Sequence, residues 1–245
     1  MDALYTGLSG LLAETGALNQ VAGNIANQMS PGYLAQSGQV IDGIQNTVLR
    51  VGGTGTRVIG NVPSGIVYTN SVITTPSPVQ AKGVSTDLAI SGNGFFAVKT
   101  PAGTQYTRNG AFSVDSNGEI VTQGGYALLG RNGQPLRINP FSPFQVASDG
   151  TVTQNGAVVG AIGLYQLPTG QLQSNGGGLY QTAVAARAAG ANVAVVQGSL
   201  DGSNVSLANS VQNLIRAEGS YQALTNLVNA ESKRMSIAVG LGILA

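Results

Sequence analysis

The chain has no cysteine, no histidine and no tryptophan, and only 9% of its 245 residues carry a charge. Without cysteine or histidine there are no disulfides, no thiol nucleophile, no zinc site of the usual ligand types and no imidazole base. A Ser-His-Asp triad is excluded outright. The absence of cysteine fits an exported protein. A typical soluble domain is about 25% charged, and mixed surface charge is what normally keeps a lone monomer in solution. A surface made instead of Gly, Ser, Thr, Asn and Gln points to a chain that ends against other protein. The bland alternative is a soluble β-rich protein with a neutral surface.

The net charge is +1 and the few basic residues are scattered. No basic cluster is present to neutralise a phosphate backbone, so nucleic acid is not an expected partner. The first basic residue is Arg50. No positive n-region therefore precedes an apolar stretch, and a cleaved signal peptide is not expected. The most apolar segment, Met235 to Ala245, falls short of the roughly 20 residues that span a bilayer.

Apolar positions near the N-terminus follow a seven-residue rhythm: Leu4, Leu8, Leu11, Thr15, Leu18, Ala22 and Ile25. Alternating steps of four and three make one narrow stripe on an α-helix, the seam of a coiled coil. Asp2 is placed to cap this helix, and Ser30-Pro31-Gly32 must end it. A second stripe runs through Val211, Leu214, Tyr221, Val228 and Met235, in a helix capped by Ser203 or Ser206. Glu218, Thr225 and Ser232 interrupt it, and Ile215, Leu224 and Leu227 widen it. Two marginal amphipathic helices at opposite ends most simply bury their stripes against each other.

Between about Val84 and Val196 the character is β. Asn-Gly or Asp-Gly occurs at Asn93-Gly94, Asn109-Gly110, Asn117-Gly118, Asn132-Gly133, Asp149-Gly150 and Asn155-Gly156. Such dipeptides tolerate the positive φ of tight hairpins. The clearest strands are Phe95 to Val98, Ala111 to Val114 and Gly163 to Leu167, and Ser174 to Gly178 reads as a flexible loop. Prolines and glycines make residues 34–83 an extended connector with room for a hairpin. The expected fold class is α+β, with paired, coiled-coil-like N- and C-terminal helices and a mainly antiparallel β domain inserted between them. Its parts are an N-terminal helix at 1–32, the connector at 33–83, the β domain at 84–197, and a C-terminal helix at 198–245 packing on the first.

Chemistry is sparse. Gly53-Thr54-Gly55 and Gly92-Asn93-Gly94 are lone fragments that read as turns, not phosphate loops. Asp87, Asp115, Glu119 and Asp149 leave a carboxylate pair formally open, although Asp115 and Asp149 sit in turn contexts where aspartate bonds backbone. Asp87 and Arg108 stand out, with a salt bridge or backbone hydrogen bonds as the ordinary explanation. Tyr33, Tyr68, Tyr106 and Tyr221 suit either a core or an interface.

Three motifs then carry a resemblance. They are Asn24-Ile25-Ala26-Asn27-Gln28-Met29-Ser30-Pro31-Gly32-Tyr33, a core pair, and Gly198-Ser199-Leu200-Asp201-Gly202-Ser203-Asn204-Val205. The core pair is Thr86 to Phe96, which includes Asp87, Gly94 and Phe95, and Tyr106 to Phe112, which includes Arg108 and Gly110. In order and spacing they resemble the bacterial flagellar rod and hook protein family. Ser30 stands where Thr is usual and Asp201 where Glu is usual, each keeping its chemistry. Residues 140–195 match weakly. Arg216 and Tyr221 occupy places where the family helix often carries an Arg and an aromatic.

The resemblance implies a non-enzymatic subunit that passes uncleaved and unfolded through a type III export apparatus. It then polymerises with copies of itself and other rod proteins into a tube in the basal body that transmits torque and encloses the export channel. No cofactor, metal or small-molecule substrate is implied. Length and a single β domain resemble a rod protein more than a hook subunit, and a connector without the distal-rod pattern favours the proximal rod protein over its distal relative. The competing readings are an extracellular β-rich adhesin or carbohydrate-binding module on a helical stalk, and a carboxylate-based hydrolase.

Overall fold

The computed structural model describes residues 2–42, 46–52, 55–62, 66–168, 170–190, 192–240 and 242, with backbone alone at 2–5 and 39–67. Helix α1 spans Asp2–Ala26 and helix α2 spans Leu207–Gly240. Among the described residues, everything regular between them is strand. The fold class is therefore α+β, with a mainly antiparallel β region between two terminal helices. No helix among the described residues is long and apolar enough to cross a membrane.

The chain divides into two compact units. One comprises residues 1–25, 37–70 and 207–245, and the other 26–36 and 71–206. Within residues 36–72 of the expected connector lie two nested strand pairs, the inner one antiparallel. Asn46–Gly52 pairs with Gly55–Val62, and Gln36–Asp42 pairs with Ile66–Val72. Tyr68 anchors the outer pair, its hydroxyl donating to Gln20 Oε1 at 2.7 Å. A Cβ at Gly16 would stand 2.8 Å from the Tyr68 ring. Alanine is thus excluded where glycine lets the aromatic lie on the helix.

In α1 the deepest burial falls on Gly7, Gly10, Ala13, Val21 and Asn24. That face lies one residue ahead of the leucine stripe, and Leu8 and Leu12 stay 54% and 68% exposed. Small residues bring neighbours close to the backbone: a Cβ at Gly7 would lie 2.7 Å from Val228 Cγ2 of α2. On α2 the sheltered positions include Ser210, Leu214, Ala217, Leu224, Val228, Glu231 and Met235, spaced three or four residues apart except for one step of seven from Ala217 to Leu224. Ser206 directly precedes the first helical residue, whereas Ser203 Oγ accepts the Val205 N–H at 3.3 Å. Of the two expected caps, Ser206 holds the capping position.

The second unit is built on Phe95–Thr100, which pairs antiparallel with Gly103–Thr107, Ala127–Leu128 and Leu164–Gln166. Its inward residues Phe96 and Val98 join Ile120, Leu128, Val152 and Ile162 in the main core. Phe96 meets Phe112 edge to face, with ring centroids 5.2 Å apart. A smaller cluster gathers Leu34, Phe95, Leu172 and Tyr180.

The expected loop at Ser174 to Gly178 is instead the end of a hairpin. Leu172–Gly176 pairs with Leu179–Thr182, with a bulge after Ser174, and Gly176, Gly177 and Gly178 all take positive φ. Three consecutive glycines read as slack but here supply the left-handed backbone of a turn. Gly118, Gly133, Gly150 and Gly156 also take positive φ, as expected of their dipeptides, and Asn155 does so at 52°.

Gly94 and Gly110 do not. They are buried at close approaches: a Cβ at Gly94 would meet Val193 Cγ1 at 2.6 Å, and one at Gly110 would meet the Leu88 carbonyl oxygen at 1.6 Å. Both dipeptides were expected to be hairpin turns. Their glycines instead make room for a neighbouring segment, Val193 at Gly94 and the strand Leu88–Ser91 at Gly110.

Candidate functional site

The three sequence motifs place residues at one junction within the second unit. Its centre is Arg108, 2% exposed, whose Nε donates to Asp201 Oδ2 at 3.2 Å. The rest of the guanidinium sits in a cage of carbonyls. Nη1 donates to Gly92 O at 2.8 Å and Gly94 O at 3.0 Å, and Nη2 to Ile90 O at 3.0 Å. The rigid fork of arginine suits such a cage, because one planar group addresses several acceptors at once. The Phe95 ring lies 5.9 Å from the guanidinium carbon and adds a cation–π contact.

Asp201 is 1% exposed, and its Oδ2 also accepts the Ile90 N–H at 3.4 Å. Its Oδ1 has no hydrogen-bond partner among the described residues. Burial pushes the carboxyl above the ordinary aspartate range, against the pull of Arg108 and the Ile90 N–H.

The two terminal motifs meet beside this pair. The Gly32 N–H donates to Asp201 O at 2.8 Å, and the Asn204 N–H to Tyr33 O at 3.3 Å. Gly32 takes a φ of 64°, and a Cβ there would lie 2.3 Å from backbone atoms of Arg108 and Asn109. Only glycine meets both demands. Asn204 uses both ends of its amide: Oδ1 accepts the Ala35 N–H at 2.5 Å, while Nδ2 donates to Ile73 O at 2.9 Å and Thr75 O at 3.1 Å. Ser199–Asp201 runs as a strand against Val79–Ala81. The Gly198 N–H donates to Asp87 O at 2.8 Å.

Of the motif residues, Gly32, Tyr33, Gly94, Phe95, Arg108, Ser203 and Asn204 lie at or beside this junction. Gly110 supports it through the Leu88 N–H, which donates to its carbonyl at 3.0 Å. Asp87 contributes its backbone carbonyl, and burial raises its half-sheltered carboxyl against the pull of Lys82. Ala26 ends α1, and Asn27 Oδ1 accepts the Ser30 hydroxyl at 3.1 Å. Asn24 is buried on α1. Leu11, Leu18, Ile25, Leu214, Val228 and Met235 are half-buried, Leu8, Val211 and Tyr221 are exposed, and Leu4 falls where backbone alone is described.

The carboxylates weighed for hydrolysis do not converge. Asp115 accepts the N–H groups of Asn117 and Glu119, Glu119 pairs with Arg137, and Asp149 accepts from Thr151. Each is occupied in its own turn or ion pair. No metal-holding cluster of acidic residues exists among the described residues.

Two partners in the junction escape sequence reading. Asp201 is visible as a motif position, but nothing local ties it to Arg108. Tyr180 lies in the weakly matching stretch, and its hydroxyl accepts the Leu34 N–H at 2.9 Å. Its phenol is pushed up to about 12, chiefly by burial and also by Tyr33, while Leu34 and Arg108 pull it down. A folded-state value above the unfolded one means the neutral phenol is what the fold stabilises. That stability is intact below pH 10 and is lost as pH rises from 10 to 12, by about 2–3 kcal/mol. A Tyr180→Phe variant should lack this share of the alkaline loss while costing about 1–3 kcal/mol at neutral pH, because the Leu34 N–H loses its acceptor. Urea midpoints across pH 8–12 for both proteins check this, and parallel profiles would refute it.

Comparison with known proteins decides what this junction belongs to. Residues 89–160 match the family model described as the flagellar hook protein FlgE/F/G D1 domain. The flagellar basal-body rod protein FlgF of Caulobacter vibrioides is 31% identical, over 96% of this chain and 96% of that protein. The chain belongs to the flagellar basal-body rod protein family. The rod protein FlgG of Bacillus subtilis is 30% identical over 98% of this chain and 99% of its own length. The FlgF of Mesorhizobium japonicum is 29% identical over 97% and 96%. These rod-protein matches run nearly end to end, so they take in both terminal motifs as well as the D1 region.

Proposed function

We propose that the chain is a structural subunit of the flagellar basal-body rod, of the proximal type, held in place by its terminal helices. The end-to-end likeness to rod proteins carries the first part. Alignment length supports the second. The match to the Mesorhizobium FlgF spans 242 positions, close to this chain's 245 residues, whereas that to the Bacillus FlgG stretches to 266. The FlgF type needs fewer gaps.

The apolar faces support a role for the helices in assembly. Leu8 and Leu12 on α1, and Val211, Ile215 and Leu227 on α2, are 41–68% exposed in the single chain. Burying them against neighbouring copies of this chain and other rod proteins would use residues on or beside the predicted stripes as subunit contacts, coiled-coil pairing included. Assembled this way, the subunit forms part of a tube that transmits torque and surrounds the export path, which it reaches uncleaved through the type III apparatus. Nothing in the comparisons favours the adhesin reading.

The test is motility and rod assembly in cells carrying Leu8→Asp or Val211→Asp. Both positions are exposed, so the isolated protein should keep its thermal midpoint within about 2 °C. Rods should stop short and cells should not swim. Normal flagella from both variants would remove the helical stripes as the interface.

A further inference from the structure

We propose that Asp201 is the closing piece of the second unit, which stays open until the C-terminal motif is available to fill it. Three separated segments converge on residues 198–204. Gly32 donates to the Asp201 carbonyl, Lys82 and Gly83 donate to Gly198 O at 2.8 and 2.9 Å, and Arg108 holds the Asp201 carboxylate. The side chains of that ion pair are 3% and 0% exposed, and Asp201 is the one carboxylate in salt-bridge reach of Arg108 among the described residues.

The order of events follows from charge. Carbonyls from residues 90, 92 and 94 surround the guanidinium, and neutral acceptors solvate a cation without cancelling it. Closing the core around Arg108 before Asp201 arrives would bury an uncompensated charge, a penalty on the scale of a domain's whole net stability. Before residue 201 is present, Leu88–Ser91 also lacks its partner strand Ala194–Gln197, or has it untethered, and Val79–Ala81 lacks its complete partner strand Ser199–Asp201.

A chain emerging N-terminus first from a ribosome therefore carries an open β unit until its last fifth is free. Under the export reading above, the same delay keeps the unit threadable, and that consequence alone rests on that reading.

The experiment is refolding of the full-length protein from urea with pulsed hydrogen exchange. Amides of Leu88, Phe96 and Val98 should gain protection in the same kinetic phase as Leu200 and Asp201. Protection of the first group in a phase tenfold faster would overturn the proposal. In a chevron of the full-length Asp201→Asn variant, folding should slow at least tenfold while unfolding changes less than threefold. An unchanged folding rate with faster unfolding would mean that the core closes first and Asp201 docks later. Should that variant not fold, the wild-type labelling decides by itself. Neither readout involves export, so its failure leaves the rod reading standing.

Discussion

A Gly110→Ala variant should lose about 3 kcal/mol or more of stability, although it adds a single methyl group. The new Cβ would fall 1.6 Å from the Leu88 carbonyl oxygen, well inside contact distance. Relief requires moving one of two backbones that are hydrogen-bonded to each other, Leu88 N–H to Gly110 O at 3.0 Å. Leu88 and Ile90 are each 1% exposed, so displacing their strand opens the core as well as breaking a bond. Overpacking alone costs about 1–3 kcal/mol, and stranding a buried backbone group about as much again. Gly219→Ala is the contrast: it lies within α2 with nothing within 4 Å of its Cβ. There alanine should be neutral or stabilise by up to about 1 kcal/mol. Urea melts of the two variants give the comparison. Equal midpoints would mean that the Gly110 approach relaxes without cost.

Gly110 also marks how far the sequence could be read. Asn-Gly announces a tight turn when its neighbours alternate, and four of the six turn dipeptides are glycines with positive φ. The other two look identical locally, but Leu88 and Val193 press on their glycines from 22 and 99 residues away in the chain. No window contains that information. The helices show the same limit. Their periodicity was legible because 3.6 residues per turn is a local property. The sheltered face of α1 was not: small residues at Gly7, Gly10 and Ala13 hold it, with Val228 close to Gly7, while the larger Leu8 and Leu12 stay exposed. Hydrophobicity marks which residues seek burial. It does not distinguish burial within the chain from burial against a neighbouring subunit.

The motif residues were legible as a set and not as a mechanism. Gly32, Arg108 and Asn204 could be marked from the sequence. That one takes a left-handed φ against the backbone of the second, and that the third bonds two other segments, needed coordinates. A low charge count could have helped. With ten acidic residues in the whole chain, Asp201 is the one charge between Arg187 and Arg216, which makes it a candidate for burial, and a buried carboxylate demands a cation.

Arg108→Met should be the most damaging change of a side chain, lowering stability by about 3–5 kcal/mol, because it leaves Asp201 buried without its counterion. Methionine fills much of the volume, so the loss isolates charge and hydrogen bonding from packing. Adding Asp201→Leu removes the stranded carboxylate and should restore a measurable part, with a coupling of at least about 1 kcal/mol between the two sites. Recovery will be incomplete, since Ile90 O, Gly92 O and Gly94 O still lack the donors that Arg108 gave them. Arg108→Lys should do little better than methionine: one ammonium on a flexible stem cannot serve three carbonyls and a carboxylate from one position. Urea denaturation of the four proteins closes the cycle. If the two single losses simply add, the ion pair carries no coupling, and the guanidinium holds the junction through its carbonyls alone.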